Sequence, residues 1–418
     1  MQLPQVFRSL GNRNFALFFT GQLFSRVGMW MQRTAVIWVI YTETHSAFMI
    51  GVATFAEQFP SFLFSIRGGI IADKHDRYKV LLITQSLSAL QAVILTIFAF
   101  MGNYNVLLIL GLSVFLGIVN AYDVPVRQSM INEIIENKDD LPNAVALNSS
   151  LNNMARLAGP ALAGFVLARF GADYCFLSNA VSFIAVIGAI LMMRLPANIR
   201  GSHRLKSKGN FKEAIHYLSE NKNIGVVILV AALSSFLVFP YVTLLPVYAK
   251  VIFKGNAATY GWLNAAIGVG ALAGSFYLAA LPTSTKFKKV MLINTLLVGI
   301  SLLLFAYITN LYLGLLFVAV SGFGTILQGS IIMTIVQRDT AANFRGRIIS
   351  VMAMAIFGML PLGSVLVGYL APLLGTANTI FIEGVLALII TLVFYKHLIN
   401  PAFKFKKNRK WKTTEQPF

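Results

Sequence analysis

Long apolar stretches dominate this sequence, and many reach the roughly 20 residues that a helix needs to cross the hydrocarbon core of a bilayer. Of the 418 residues, 57% are hydrophobic and only 12% are charged. Soluble domains carry about 25% charged residues, so most of this surface must face lipid. Lipid restricts a backbone to helices or closed barrels, and the stretches lack the alternating polarity of barrel strands. The sequence therefore predicts an all-α membrane protein.

The apolar stretches divide into twelve predicted transmembrane helices. Their approximate ranges are 14–41, 47–71, 79–101, 105–130, 142–169, 173–194, 224–250, 257–281, 289–309, 311–336, 346–373 and 376–396. The least secure divisions fall at the short connections around Asn310 and Gly375.

The two halves of the chain repeat each other. The segment "NRNF" at 12–15 opens the first stretch as "NKNI" at 221–224 opens the seventh, and "YKVLLI" at 78–83 aligns with "KKVMLI" at 288–293. Six crossings return the chain to the same side, which predicts two pseudo-symmetric six-helix bundles in one orientation. Such repeats around a central cavity are typical of alternating-access transporters. The predicted parts are an N-terminal bundle at 1–195, a cytoplasmic linker with an amphipathic helix at 196–223, a C-terminal bundle at 224–397 and a basic tail at 398–418.

Basic residues concentrate on one side of this predicted topology. The net charge is +19, and if both termini are cytoplasmic, only Arg169, Lys250 and Lys254 fall in outer loops. This positive-inside asymmetry predicts the orientation. The basic segment "KFKKNRKWK" at 404–412 then faces anionic inner-leaflet lipid. Nucleic acid is the alternative partner for such a tail, but the distribution of charge argues against it.

One connection gathers many charges between the second and third spans. The segment "GGIIADKHDRYKV" at 68–80 lies on the predicted cytoplasmic side. Gly69 can let a neighbouring helix approach closely, and Asp73 can meet the positive N-terminus of a helix from the other half. With Arg77 paired to an acid, these contacts predict a cytoplasmic gate. Simple anchoring by basic residues is the competing interpretation, which leaves Asp73 unexplained.

Residues further along the chain complete the predicted gate. Asp123 and Arg127 lie toward the cytoplasmic end of the fourth span. We favour Asp123 as the partner of Arg77, with Glu133 as the alternative. At the equivalent place in the second half Thr283 replaces the aspartate, which predicts that the two halves are not equivalent.

Six segments carry a resemblance to a known family. They are "NRNFALFFTGQLFSRVG" (12–28), "GGIIADKHDRYK" (68–79), "NAYDVPVRQSMINEI" (120–134), "DLPNAVALNSSLNNMARLAGPALAG" (140–164), "CFLSNAVSF" (175–183) and "GRIISVMAMAIFGMLPLGSVLVGYLA" (346–371). Over residues 10–400 the chain resembles the major facilitator superfamily, in the drug and siderophore exporter branch that includes enterobactin exporters and macrolide efflux proteins. The resemblance implies the major facilitator fold and the export of a small molecule.

The resemblance also implies roles for two motifs. Asp73 and Arg77 match the family's loop motif, and "AGPALAG" matches its exporter motif on the fifth helix through Gly159, Pro160 and Gly164. Ordinary close packing of small residues is the alternative explanation for these glycines. Relatives often carry an acid after the glycine of the first helix, where this chain has Met29, so a proton-binding role there is not carried over.

Ionisable residues inside the predicted spans are costly and therefore mark candidate functional sites. In the first half of the chain, the ionisable residues predicted to lie near the centre of the bundle are Arg26, Arg33, Glu57 and Arg156. Glu57 can pair with Arg26 or bind a proton, and a static ion pair is the alternative. Glu383 in the last span aligns with Asn179 of the first half and is the second candidate for proton binding.

These charges predict the nature of the cargo. The arginines outnumber the acid, so the N-terminal interior is net positive and favours an amphiphilic anion. The C-terminal half offers an apolar and aromatic wall. The residues predicted to form it are Phe236, Phe239, Tyr241, Trp262, Phe323 and Gln328.

No nucleotide-binding loop or metal-ligand spacing is evident, so we expect no enzyme activity, cofactor or metal. The prediction is a monomeric, proton-driven exporter in the bacterial cytoplasmic membrane, with a siderophore as the favoured cargo and a macrolide second. A lipid or lysophospholipid flippase on the same fold is the main alternative, and a receptor that has lost transport is another.

Overall fold

The computed structural model describes residues 5–135, 137–194, 211–282 and 285–399, and all regular elements in these ranges are helical. The first group is α1 (Arg13–Thr44), α2 (Ala47–Lys74), α3 (Arg77–Phe100), α4 (Val106–Ile134), α5 (Leu141–Arg169) and α6 (Ala172–Met192). The linker helix is α7 (Phe211–Glu220). The second group is α8 (Lys222–Leu237), α9 (Leu245–Val247), α10 (Ala257–Ala280), α11 (Phe287–Ala306), α12 (Leu311–Asp339), α13 (Ala342–Phe357), α14 (Met359–Leu374) and α15 (Thr376–Ile399). Thr283, the linker before 211 and the tail from 400 onward lie outside the described residues.

Polar residues determine where several helices begin. The side chains of Asn12, Ser46, Asp76, Asn105 and Asn310 each accept a hydrogen bond from a backbone N–H in the first turn of the following helix. These N–H groups have no partner within the helix itself, so the caps stabilise each helix start. Asp76 therefore serves the local fold of the charged connection.

Ten helical stretches of the described chain are long and apolar enough to cross a membrane. The helices α1 and α5 are 32 and 29 residues long but are not among these ten. Both carry many polar side chains, including Arg26 and Arg33 on α1 and Arg156 on α5. Polar residues at membrane depth are tolerated where they face protein or water.

Two of the predicted spans are interrupted. The seventh continues from α8 through a 3₁₀ turn (Phe239–Leu244), α9 and a π-helical turn (Tyr248–Ile252). Pro240 and Pro246 lie at the starts of new turns, because proline has no N–H to donate to the preceding turn. We call residues 239–252 the irregular segment. The eleventh span breaks at Gly358, between α13 and α14.

Helix pairing follows the internal repeat. In the first group α2 packs on α4, α1 on α6, and α3 on both α4 and α6. The equivalent pairs α10–α12, α8–α15, α11–α12 and α11–α15 occur in the second group. The two groups meet through α5 with α10 and α2 with α14, which are equivalent pairs under the same repeat.

Glycines bring the two groups into close contact at one end of the molecule. A Cβ atom on Gly164 of α5 would lie 2.6 Å from the Cα atom of Gly261 on α10. Likewise, a Cβ on Gly51 of α2 would lie 2.4 Å from the carbonyl oxygen of Ser364 on α14. A Cβ on Gly368 of α14 would lie 2.6 Å from the carbonyl oxygen of Ala47 on α2. We call this the neutral end, which carries the connections at 45–46, 101–105, 170–171, 253–256 and 307–310. The two groups are closed together there.

The opposite end, which we call the basic end, carries the connections at 75–76, 135–140 and 281–286. Here a Cβ on Gly69 would meet nothing within 4 Å, and Ile66 and Ile70 of α2 are exposed. On α5, Ser149 and Ser150 are also exposed. The glycine contacts that join the two groups at the neutral end do not recur here among the described residues, and from these exposed faces of α2 and α5 we infer that the two groups are separated by a cleft at the basic end.

We predict that Gly164→Val destabilises the closed neutral end, because its side chain would overlap the backbone of Gly261. Overpacking of this kind costs about 1–3 kcal/mol, so the apparent Tm measured in detergent by fluorescence-detected gel filtration should fall. Gly188→Val on α6 is the matched control, since a Cβ there meets nothing within 4 Å. Equal effects of the two substitutions would contradict this account of the contact.

Candidate functional site

Two arginine side chains flank one tryptophan where α1, α2 and α5 meet. The guanidinium carbon of Arg33 lies 5.1 Å from the ring centroid of Trp30, and that of Arg156 lies 5.4 Å from it. Arg33 also pairs with Glu57, with 3.2 Å between Nε and Oε2. Cation–π contacts of this kind orient a guanidinium group. We call Trp30, Arg33, Glu57 and Arg156 the central cluster.

Gly159 allows this cluster to form. A Cβ atom on Gly159 would lie 2.4 Å from the Cβ of Trp30, so only glycine lets α5 approach α1 so closely. Pro160 is buried beside it, and Gly164 contacts the second group of helices as described above. The expected contact with the opposing half therefore holds for Gly164 but is wrong for Gly159, which packs on α1 of its own half.

The central cluster carries a net positive charge. Glu57 compensates Arg33, but among the described residues Arg156 has no carboxylate within ion-pair distance, and its charge interacts unfavourably with that of Arg33. The predicted pair of Glu57 with Arg26 is wrong, because Arg33, about two turns further along α1, pairs with this acid instead. Arg156 is therefore the unpaired cation of this cluster.

Arg26 belongs to a second polar cluster inside the first group. Its Nε donates to Gln22 at 3.2 Å, and its charge interacts with Asp123 and Arg127. Asp123 is 1% exposed and lies 2.6 Å from Nη1 of Arg127. It also accepts hydrogen bonds from Thr84 at 2.9 Å and Gln85 at 2.7 Å. These bonds leave Asp123 fully occupied within the bundle.

The gate residue Arg77 therefore pairs elsewhere. Its Nη1 contacts the carboxylate of Glu133, its Nη2 lies 3.8 Å from Asp73, and its Nε donates to the Ala72 carbonyl at 2.8 Å. The prediction of Asp123 as its partner is wrong and the alternative, Glu133, is the partner found. These bonds tie the start of α3 to the end of α4 within one group.

The close approach expected at Gly69 occurs at its neighbour. A Cβ on Gly68 would lie 1.9 Å from the Ala121 carbonyl oxygen, whereas Gly69 faces open space. The Asp73 side chain is 53% exposed, and it forms an ion pair with Arg77 of its own group. In this conformation the charged loop does not bridge the two groups.

The predicted aromatic wall is largely used for helix packing. Tyr241 and Gln328 are each 1% exposed, and Gln328 donates to Ser234 at 2.9 Å within the second group. Phe323 packs beside the backbone of α10 and the ring of Tyr277. Phe236 and Phe239 are partly buried. Tyr241 and Gln328, which are fully buried, therefore do not line an open cavity.

Trp262 is 61% exposed and shares a helix face with Val269 and Phe276, which are 56% and 74% exposed. Spacings of seven residues keep these side chains on one stripe of α10. A continuous exposed apolar stripe on a membrane-spanning helix is typical of a lipid-facing surface. The placement of Trp262 in the cavity wall is therefore not supported.

A family model described as "Transmembrane secretion effector" matches residues 5–416. The chain belongs to this family. It lies within the major facilitator superfamily. The chain is 28% identical over 396 residues to the staphyloferrin A transporter of Staphylococcus aureus, covering 93% of this chain and 97% of the relative. It is 21% identical to macrolide efflux protein A of Streptococcus pyogenes, with coverages of 91% and 94%. The enterobactin exporter EntS of Salmonella typhi is 24% identical, with coverages of 80% and 80%.

Solved structures share the fold of this secretion effector family member. A POT family transporter in complex with 5-aminolevulinic acid superposes with a TM-score of 0.74 at 13% identity, covering 93% of this chain and 97% of the other. A bacterial homologue of the human lysosomal transporter Spinster gives a TM-score of 0.70 at 14% identity, also with coverages of 93% and 97%. The fold is therefore that of major facilitator transporters, and the protein is a multi-pass membrane transporter.

In this family member Glu383 lies on α15 in the second group of helices, whereas the central cluster lies in the first. It is 2% exposed on α15, and within the described residues neither of its carboxylate oxygens has a hydrogen-bond partner. Its charge interacts with the phenol groups of Tyr241 and Tyr248 on the irregular segment. The two acids named as proton candidates thus have opposite surroundings, since Glu57 is paired with Arg33.

The site residue missed from the sequence is Trp30. It lies three and four residues from Arg33 and Arg26 on α1, so it shares a helix face with both. A tryptophan one turn away from an intramembrane arginine is a usable signal. Its second arginine, Arg156, comes from another helix, and sequence spacing carries no information about that contact.

We predict that Arg77→Ala and Glu133→Ala are non-additive in their effect on stability. Removal of either partner breaks the same ion pair, so a double-mutant cycle should give a coupling energy on the order of 1 kcal/mol. The matched cycle with Arg77→Ala and Asp123→Ala should be nearly additive, because Asp123 pairs with Arg127. Tm measurements on the purified variants decide this, and the reverse pattern would refute the assigned pair.

Proposed function

We propose that this protein is a secondary active exporter that moves an amphiphilic small molecule out of the cytoplasm, with an anionic siderophore as the favoured cargo and a drug such as a macrolide second. The observation that carries the proposal is the unpaired Arg156 guanidinium stacked on Trp30 beside the Arg33–Glu57 pair. A fixed cation at the centre of a transporter is suited to bind a carboxylate or phenolate. Relatives named as a staphyloferrin A transporter and an enterobactin exporter support a siderophore cargo.

We further propose that the chain crosses the membrane twelve times in two six-helix bundles, at 1–195 and 224–397, with both termini cytoplasmic. The repeated helix pairings support this division, and α1 and α5 are long enough to cross even though they carry the polar cluster. Basic residues at 286–289 and in the 68–80 loop support placing the basic end in the cytoplasm of a bacterium. Each monomer contains both bundles, so we propose that it works alone, in contact with membrane lipids.

The geometry supports alternating access from a cytoplasm-facing state. The cleft is open at the basic end, where cargo enters, and closed at the neutral end by the Gly164–Gly261 contact and its repeat equivalent. Release to the outside requires that these contacts separate. Closure of the basic end would bring Asp73 of α2 toward the N-terminus of α13, since α2 already packs along α13 and α14. That contact is the proposed gate.

Proton antiport is the proposed energy source, with Glu57 and Glu383 as the candidate carriers. An acid that exchanges a proton during transport must change its environment between the two states. Glu57 lies in the cleft between the bundles, and Glu383 lies within the second group next to an interrupted span. The surroundings of both carboxyl groups would therefore change when the bundles move.

We predict that purified protein in proteoliposomes exchanges siderophore in a counterflow assay, and that an imposed pH gradient accelerates it. The assay compares staphyloferrin A, enterobactin, a macrolide and a lysophospholipid. Arg156→Gln should weaken anion binding about 10- to 100-fold, because a hydrogen bond to a charged group contributes about 1.5–3 kcal/mol.

Arg169→Gln is the matched control, since Arg169 lies on the same helix but is exposed at the neutral end. Movement of the lysophospholipid alone would instead support a flippase. Equal anion transport by Arg156→Gln and the wild-type protein would refute the assignment of the cargo site.

A further inference from the structure

Two buried triads occupy equivalent positions in the repeat. In the first group, Gln32 Nε2 donates to Gln91 at 3.0 Å, and Asn179 Nδ2 donates to Gln32 at 2.8 Å. These three side chains, which we call the amide triad, join α1, α3 and α6. Each is at most 3% exposed, and each amide finds a partner among the other two, so the triad is electrically neutral and self-contained.

The internal repeat identifies the equivalent residues in the second group. The alignment of Asn12 with Asn221 pairs Gln32 with Tyr241, and the alignment of Lys79 with Lys289 pairs Gln91 with Ser301. In the same way, the alignment of Gly171 with Gly375 pairs Asn179 with Glu383. We call Tyr241, Ser301 and Glu383 the carboxyl triad. All three are at most 2% exposed, so a neutral amide in one copy is replaced by an acid in the other.

The carboxyl triad does not reproduce the hydrogen bonds of the amide triad. Ser301 donates to the Phe317 carbonyl at 2.6 Å, and the Glu383 oxygens have no partner within the described residues. The ionisable groups that face Glu383 there are the phenols of Tyr241 and Tyr248, and no Lys or Arg of the described chain pairs with it. A carboxylate buried without a cation or donors is far more costly than the neutral acid.

The irregular segment connects this acid to the closed neutral end. Tyr241 and Tyr248 both belong to that segment, and Tyr248 anchors it by donating to the Ala306 carbonyl at 2.8 Å. Other residues of the segment contact α1 and α2 of the opposite group. A charge formed on Glu383 therefore acts on the part of the seventh span that helps to close the neutral end.

We propose that Glu383 is a proton-binding site whose neutral acid form keeps the neutral end closed, and whose ionised form favours its opening. For antiport, the proton is taken from outer water while the neutral end is open and is released toward the basic end after the neutral end has closed, and the ionised Glu383 left behind favours reopening of the neutral end. Of the two candidate carriers, we select Glu383, which has no hydrogen-bond partner within the described residues, over Glu57, which pairs with Arg33. The link to export depends on the proposed function, whereas the proton site and its effect on closure do not.

The first test is infrared spectroscopy of the purified protein at neutral pH, which detects the carbonyl stretch of a protonated carboxylic acid. We expect such a band in the wild-type protein, its loss in Glu383→Gln and its retention in Glu57→Gln and in the exposed control Glu43→Gln. Loss of the band in Glu57→Gln, or an unchanged band in Glu383→Gln, would overturn the proposal. The isosteric amide preserves the volume of the side chain, and gel filtration verifies that the variant is folded.

The second test measures closure directly with spin labels at Asn103→Cys and Thr309→Cys, in a Cys175→Ser background. These exposed positions lie on neutral-end connections of the two groups, so their separation reports the opening of that end. We expect a longer distance at alkaline pH in the wild-type protein and a short distance at every pH in Glu383→Gln. The proposal would be overturned if the wild-type distance did not change with pH, or if the distance in Glu383→Gln changed with pH as it does in the wild type.

A transport measurement separates this inference from the proposed function. For a cargo that the wild-type protein moves, the stimulation of transport by a pH gradient should be at least tenfold smaller in Glu383→Gln than in the wild type. In Glu43→Gln the stimulation should equal that of the wild type. Full stimulation in Glu383→Gln would overturn the role in coupling. If the wild-type protein moves no compound of the panel, the proposed function fails, while the infrared and distance results still decide the proton site.

Discussion

A charge inside a hydrocarbon layer must find an opposite charge, a set of hydrogen bonds or water. The first group of helices meets this requirement with the pairs Arg33–Glu57 and Asp123–Arg127. Arg156 has no such pair in the described chain and stacks on Trp30 instead, which is why we propose that it binds the anionic cargo. The same requirement accounts for the polar side chains of α1 and α5, of which Arg33 and Arg156 flank Trp30 where these two helices meet α2.

Glycine contacts at the neutral end make the closed arrangement possible. The four glycines involved, Gly51, Gly164, Gly261 and Gly368, form two equivalent sets under the repeat, so the two inter-group contacts share one geometry. Backbone contacts without side chains can separate and re-form without repacking a core. A side chain added at any of these positions would act as a wedge, which connects this packing to the proposed change between inward and outward access.

The sequence predicted the helical membrane class, the repeat and most helix bounds, because apolar length and periodicity are local properties. It also placed the central arginines on the right helices. The partners of Arg77 and Glu57 were not predictable, since each depends on which helix faces lie together. Pro240 and Pro246 lie where the seventh span is interrupted, but the residues around them are continuously apolar, so hydropathy alone predicts one unbroken helix there. Tyr241 and Gln328 were expected in a cavity wall and are instead buried, because burial depends on neighbouring helices that periodicity does not identify.

Comparison of the two repeats distinguishes positions that serve helix packing from positions that carry ionisable groups. Positions that kept the same residue, such as Gly164 and Gly368, preserve the contacts that a symmetric scaffold requires. Positions that diverged carry the groups of the proposed mechanism: Asp73 corresponds to Thr283, and Asn179 corresponds to Glu383. A symmetric pair of bundles would bind cargo and protons equally on both sides of the cleft. In the proposed mechanism, divergence at these positions lets one bundle hold the anion site while the other binds the proton, so that the two ligands act on opposite faces of a single moving interface.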